Sequence, residues 1–237
     1  MNATLADADA YVVADPAAAY GSDEASAVAQ FADNGGRVLL LGDTPSAATS
    51  TSSLLGLTSG TAAAGSGQPN AIAARRGMTF DADYLFDMTD NANNFQYVYG
   101  TPSGDGSTGL ADGVDRAVFD AAVPVVHGET ATTAIAAANV SRSSTRTTGT
   151  HAVVARNGNV AAIGDTWFLS PDGATVADNE ALVGNVAGFL VSGTKTGRIA
   201  TSSPRTGVGT GRTVSVGSMT TRPESAPSAT NETNATA

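Results

Sequence analysis

Arg37-Val-Leu-Leu-Leu-Gly-Asp43-Thr44 and Asn159-Val-Ala-Ala-Ile-Gly-Asp165-Thr166 end alike: a short apolar run stops at Gly-Asp-Thr. An uninterrupted apolar run bounded by turn residues reads as a strand buried on both faces. Glycine permits a sharp exit from the strand, and aspartate caps the next turn of chain. Two such strands predict a parallel α/β sheet with polar groups gathered at its carboxyl edge, where open α/β sheets bind ligands.

Working outward, Ala10-Tyr-Val-Val-Ala14 reads as a first strand ended by Asp15-Pro16. A helix follows, with Ser22 as N-cap and Asp23 and Glu24 in the first turn, where the helix dipole favours acids. Its apolar face is Ala25, Val28, Ala29 and Ala32, and Asn34-Gly35-Gly36 stops it. Residues 10–41 therefore read as one β-α-β unit with parallel strands. Further on, the pattern predicts a short helix at 53–57, a strand near Met78–Phe80, and an edge strand at Tyr97-Val-Tyr99. Strands are expected at 131–137 and 151–156, and Asn157-Gly158 signals a tight hairpin into the run that ends at Ile163. The last helix is expected from Asn179 to Val191, with Leu182, Val183, Val186, Phe189 and Leu190 on one face. Residues 1–195 read as one domain. Residues 196–237 read as a low-complexity Ser/Thr/Gly/Pro tail without a core, apart from a weak edge strand at 207–216.

Of 237 residues, 41% are hydrophobic but only 5% aromatic, so the core is built from Ala, Val and Leu. Net charge is −10, and of 12 basic residues only Lys195 is a lysine. Acidic, lysine-poor, Ala- and Thr-rich chains resemble proteins of extreme halophiles, whose carboxylates hold water and cations at molar salt. No basic stripe exists to neutralise phosphates, which argues against a nucleic-acid partner. The absence of cysteine excludes disulfides, thiolate metal sites and cysteine nucleophiles. With only His127 and His151, a multi-histidine metal site is not expected, and neither is a cofactor. No apolar run reaches the 18 or so residues of a membrane span, and no signal peptide is visible. Asn-x-Ser/Thr acceptors occur at Asn2, Asn139, Asn231 and Asn234, the last two within the tail.

Three segments together resemble a known family: Ala10-Tyr-Val-Val-Ala-Asp-Pro16, the run from Ser22 to Asp43, and the closing stretch from Gly164-Asp-Thr through Asp178-Asn-Glu180 to Phe189-Leu190. Over about residues 5–193 the chain is similar to the archaeal DUF4350 domain of the class I glutamine amidotransferase-like superfamily. That resemblance implies a flavodoxin-like three-layer sandwich with a mostly parallel central sheet, at or outside the membrane and next to a spanning segment. Catalytic members of the superfamily need a cysteine on a strand-to-helix elbow and a His-Glu pair. This chain lacks both, so glutaminase chemistry is not expected. Members also usually carry an upstream strand and an apolar N-terminal segment, whereas this chain begins close to its first recognisable strand.

The candidate ligand-binding residues are Asp43, Thr44, Asp165, Thr166, Asn179 and Asn185. Asp43 and Asp165 follow neighbouring strands, so they either meet at one edge, binding a cation or sugar hydroxyl or acting as an acid/base pair, or simply cap turns. Asn179 or Asp178 caps the last helix, while Asn185 sits mid-helix, where asparagine is disfavoured unless it bonds a loop or a ligand. His127 and His151 read as structural. Ser143 and Ser144 lack a nucleophile elbow. Gly104-Asp-Gly-Ser-Thr-Gly109 and Gly207-Val-Gly-Thr-Gly211 lack the context of phosphate loops. Asp81, Asp83, Asp87 and Asp90 lack the terminal bidentate Glu of a calcium loop. The expectation is a non-catalytic binding or scaffolding domain at the archaeal cell envelope, with a membrane or envelope protein as partner. The alternative is a small hydrolase or carbohydrate-binding enzyme using Asp43 and Asp165.

Overall fold

A computed structural model describes residues 2–195, except 15, 17, 45–67 and 105–107. The short helix expected at 53–57, the strand at 207–216 and the tail from 196 onward lie outside the described residues.

The β-α-β unit forms as its sequence dictates. Strand β1 (Ala10–Ala14) leads to helix α2 (Ser22–Asp33) and strand β2 (Arg37–Leu41), and β1 pairs with β2 in parallel. A short helix α1 (Asn2–Asp7) precedes them. The N-cap of α2 is Gly21 rather than Ser22: the Glu24 carboxylate reaches back to accept the Gly21 N–H at 2.9 Å. Val28 and Phe31 of α2 are fully buried, each contributing roughly 1.5–3 kcal/mol of transfer free energy. Gly35 ends the helix at φ +94°, and the Thr194 carbonyl lies only 2.1 Å from where a Cβ would stand. The lone lysine, Lys195, donates to the carbonyls of Leu5, Ala6 and Ala8, holding the end of α1 with a cation.

Beyond β2 the architecture departs from the flavodoxin-like expectation. Helix α3 (Asn70–Ala73) is a single turn, and strands β3 (Met78–Phe80), β4 (Leu85–Phe86), β5 (Tyr97–Pro102), β6 (Ala117–Asp120) and β7 (Val125–His127) follow. Then come the long strands β8 (Thr132–Arg142) and β9 (Thr148–Asn157), strand β10 (Val160–Ile163) and helix α4 (Asn179–Val191). The main sheet runs β1-β2-β10-β9-β8-β5-β6, with β4 also on β8, while β3 and β7 form a separate pair. Among the described residues only β1–β2 and β2–β10 are parallel; the other pairings are antiparallel. The fold is thus a mixed, curled, mostly antiparallel sheet with few helices, not a mostly parallel three-layer sandwich. The physical reason is connection length. Parallel neighbours need crossovers of a dozen or more residues, whereas β8–β9 and β9–β10 are joined by short turns that force antiparallel pairing.

Two smaller expectations also change. Tyr97–Tyr99 belongs to an interior strand, because β5 is flanked by β6 and β8. The β9–β10 hairpin turns at Gly158–Asn159, one residue later than expected, since Asn157 already pairs with Val160 and Gly158 takes φ +56°.

The central strands are buried on both faces, as their sequences predict. In β2, Val38 and Leu40 pack with α2, while Leu39 and Leu41 pack with α4. In β10, Val160 and Ala162 face the first cluster, and Ala161 and Ile163 face the second. Leu182, Val186 and Phe189 of α4 seal the second core. Among the described residues no helix is long and apolar enough to cross a membrane.

Candidate functional site at the carboxyl edge

The parallel strands β2 and β10 deliver their Gly-Asp-Thr ends side by side, in register from Val38↔Val160 to Leu41↔Ile163. Neither glycine is there for a left-handed turn. A Cβ on Gly164 would stand 1.9 Å from the Val123 carbonyl, and one on Gly42 would stand 2.3 Å from the Phe80 ring. Both glycines are required by close approach.

The two aspartates then part company. Asp165 is 1% exposed, and its carboxylate accepts the Trp167 N–H at 3.0 Å and the Phe168 N–H at 3.2 Å. It caps a single helical turn, Trp167–Leu169. Its pKa is pushed up to about 7: burial is the main cause, the two N–H donors oppose it, and the Asp43 and Asp120 carboxylates add to it. Asp43 is half-buried; its carboxylate accepts the Thr166 hydroxyl and, at 3.3 Å, the Thr44 hydroxyl. Asp43, Thr44, Asp165 and Thr166 are therefore brought together, and they bond mainly to one another and to the backbone.

Asn179 and Asn185 serve elsewhere. Asn179 is fully buried at the start of α4, accepts the Val118 N–H at 2.8 Å and donates to the carbonyls of Val118 and Gly173 at 2.9 Å. Its neighbour Asp178, the N-cap residue, accepts the Asp115 and Arg116 N–H groups and donates its own N–H to the Arg116 carbonyl at 3.0 Å. Asn185 donates to the carbonyls of Leu110 and Asp112 at 3.2 and 2.8 Å, tying a loop to the helix. Neither asparagine joins the aspartates.

Sequence reasoning missed three residues at this edge. Asp120 ends β6, and burial together with Asp43 raises its pKa. Tyr97 is raised by burial first, then by Asp120, Asp165 and Asp172. Its ring meets the Trp167 ring edge-on, with centroids 4.9 Å apart. The signal for Asp120 was present: Ala117-Val-Phe-Asp120 is a third apolar run ending in aspartate. Among the described residues no group of three acids or histidines could hold a metal ion.

The remaining candidates are structural. His127 bonds Thr133 at 2.7 Å and the Gly128 carbonyl at 2.9 Å. His151 lies on β9, its pKa lowered by burial and by Arg142. Asp81 and Asp83 clasp Arg142, Asp87 caps its own turn, and Asp90 pairs with Arg116.

No family model matches the chain, and no curated protein matches it. Among solved structures it is similar to the mmIFT52 N-terminal domain, at 15% identity over 84% of this chain and 82% of that one, with a TM-score of 0.58. It is also similar to a putative ThuA-like protein from Bacteroides uniformis, at 13% identity over 83% and 75%, with a TM-score of 0.49. The first likeness concerns the fold alone.

Proposed function

We propose that the domain is a non-catalytic binding or scaffolding module working at the archaeal cell envelope. One observation carries the non-catalytic half: Asp165, the carboxylate that the hydrolase alternative pairs with Asp43, is 1% exposed and accepts two backbone N–H groups. A general acid or base must reach substrate within hydrogen-bond distance, and this one is committed to the chain's own backbone. The hydrolase alternative needs both carboxylates turned toward one substrate. The envelope half is supported by the sequence: the DUF4350 resemblance, the halophile-like charge, and the Ser/Thr-rich residues 196–237 with acceptors at Asn231 and Asn234.

The test is a thermal-shift screen in molar KCl against sugars, nucleotides, amino acids and divalent cations, run on the wild type and on Asp43→Asn. The module reading expects no ligand or turnover that depends on Asp43. A ligand at a hundred times its dissociation constant stabilises by about 2.7 kcal/mol, so a real site would show. Binding or turnover lost in Asp43→Asn with the melting temperature preserved would overturn the reading. Recovery of the protein in envelope fractions of its native cells is expected; recovery in the cytosol alone would remove the location.

A further inference from the structure

Away from the carboxyl edge, Tyr84, Phe86, Met88, Phe95 and Arg146 line a hollow of about 260 Å³. On a surface this acidic, the side chains are out of keeping. Met88 is 72% exposed and Phe95 41% exposed, yet neither sits on a loose loop. The Asp87 carboxylate accepts the N–H groups of Thr89 and Asp90 at 2.8 and 3.1 Å, and the Asp87 N–H donates to the Phe95 carbonyl at 2.8 Å. Arg116 grips Asp90 with one guanidinium nitrogen 2.8 Å from each carboxylate oxygen. The opposite wall is fixed as well. The Tyr84 N–H donates to the Ser143 hydroxyl at 3.1 Å, and the Ser143 N–H donates to the Tyr84 carbonyl at 2.9 Å. Arg142, the last residue of β8, is clasped by Asp81 and Asp83.

Arg146 supplies the charge. Its backbone stands at φ +58°, a conformation that residues with a Cβ adopt only when the surroundings impose it. Its guanidinium lies 5.4 Å from the Phe86 ring centroid, and among the described residues it joins no ion pair. A cation without a carboxylate, in a chain of net charge −10, marks a spot complementary to an anion. Cofactor and drug pockets span roughly 300–1,000 Å³, so the hollow suits one large apolar side chain rather than a cofactor.

We infer that this pocket docks a peptide segment presenting a bulky apolar side chain beside a carboxylate. The apolar side chain enters the hollow against Met88 and the edge-to-face pair of Phe86 and Phe95, whose centroids lie 6.3 Å apart, while the carboxylate meets Arg146. Fixed walls leave little ordering cost on binding. High salt screens the ion pair but strengthens the apolar contact, so the site keeps its grip where a purely electrostatic one would lose it. The inference rests on the binding-module reading. It fails if a series of test peptides binds without discrimination, whereas that reading fails through Asp43-dependent binding or turnover.

The test uses the full chain and three labelled, blocked hexapeptides of glycine and serine that differ in a central pair: Glu-Phe, Gln-Phe or Glu-Ala. By fluorescence anisotropy, Glu-Phe should bind roughly tenfold tighter than Glu-Ala, the weight of a central anchor. It should bind about threefold tighter than Gln-Phe, the weight of an exposed ion pair. Phe95→Ser should weaken Glu-Phe roughly tenfold. Arg146→Gln should bring Glu-Phe and Gln-Phe level without moving the melting temperature. Should Phe95→Ser unfold the chain, Met88→Ser, at a still more exposed position, is expected to weaken Glu-Phe in its place. Equal binding of all three peptides, or no binding at millimolar concentration, overturns the inference. So does uptake on phosphatidylcholine vesicles in place of peptide, or a dimer in sedimentation that Phe95→Ser disperses.

Discussion

Gly42-Asp43-Thr44 and Gly164-Asp165-Thr166 are twins in sequence and opposites in the fold. Each follows a strand buried on both faces, and the two strands are parallel neighbours. Yet Asp165 is enclosed and caps a helical turn, while Asp43 stays half-buried and gathers hydroxyls. What encloses Asp165 is the segment downstream of it. After Asp165 the chain turns at once into Trp167–Leu169, whose free N–H groups sit within reach of the carboxylate. The same tripeptide therefore specifies a strand exit, not a chemistry; at Asp165 the role is assigned by the helical turn that the strand runs into.

Three experiments press on that contrast. Alanine at Gly164 should cost more than about 3 kcal/mol, because its Cβ meets the Val123 carbonyl at 1.9 Å and that backbone is fixed by the Val123 N–H to Gly164 carbonyl bond at 2.7 Å. Alanine at Gly42 should cost less, since the Phe80 and Gln68 side chains it meets can shift. Denaturant unfolding of both variants checks the order, and equal losses would mean the strands exit alike.

The second concerns pH. Unfolded aspartate titrates near pH 3.9, while folded Asp165 titrates at about 7. The folded state holds that proton more tightly, so the stability from this group is complete below about pH 4 and is lost as pH rises through about 7. Asp165→Asn removes the titration, and its melting temperature should fall less than that of the wild type between pH 4 and 8. Asp83 and Asp87 do not mask the effect: their pKa values are lowered, so their contribution is lost only as pH falls below the ordinary carboxylate range. Identical slopes in the two proteins would show that Asp165 is charged throughout.

The smallest effect separates the two threonines. Thr166→Val loses the hydroxyl bond to Asp43 and should cost about 1 kcal/mol, whereas Thr44→Val, with a 3.3 Å contact, should cost about half that or less. Thermal unfolding at pH 7 resolves the pair, and the reverse order would make Thr44 the real partner of Asp43.

The sequence made the centre of the molecule legible and its flanks illegible, for different reasons. Continuous apolar runs such as Val38–Leu41 have a single reading, burial on both faces, and periodicity delivers α4 to the residue. Strand pairing has no such local signature. Strand β8 shows an irregular burial pattern because its register with β9 shifts at Thr133/Ile135, Ile135/Ala136 and Ala137/Val140, with Asn139 at φ +59°. No alternation can be read through such bulges. The hairpin signal at Asn157-Gly158 already required β9 and β10 to be antiparallel, against a mostly parallel sheet. The site was half legible: the paired Asp-Thr ends were named, but the duties of Asn179 and Asn185 depend on partners more than 60 residues away.

Strand β6 is the last in its sheet, and an open sheet edge is an invitation to polymerise. Here the outward-facing backbone groups of Arg116 and Val118 are already taken, by Asp178 and by the Asn179 amide. The first turn of α4 thus imitates one more strand, two residues long, made of side chains and a single N–H. A neighbouring copy arriving at this border finds no ladder to extend. This edge of the sheet is terminated from within, by hydrogen bonds that do not depend on net charge and so survive the salt concentrations that would screen charge repulsion away.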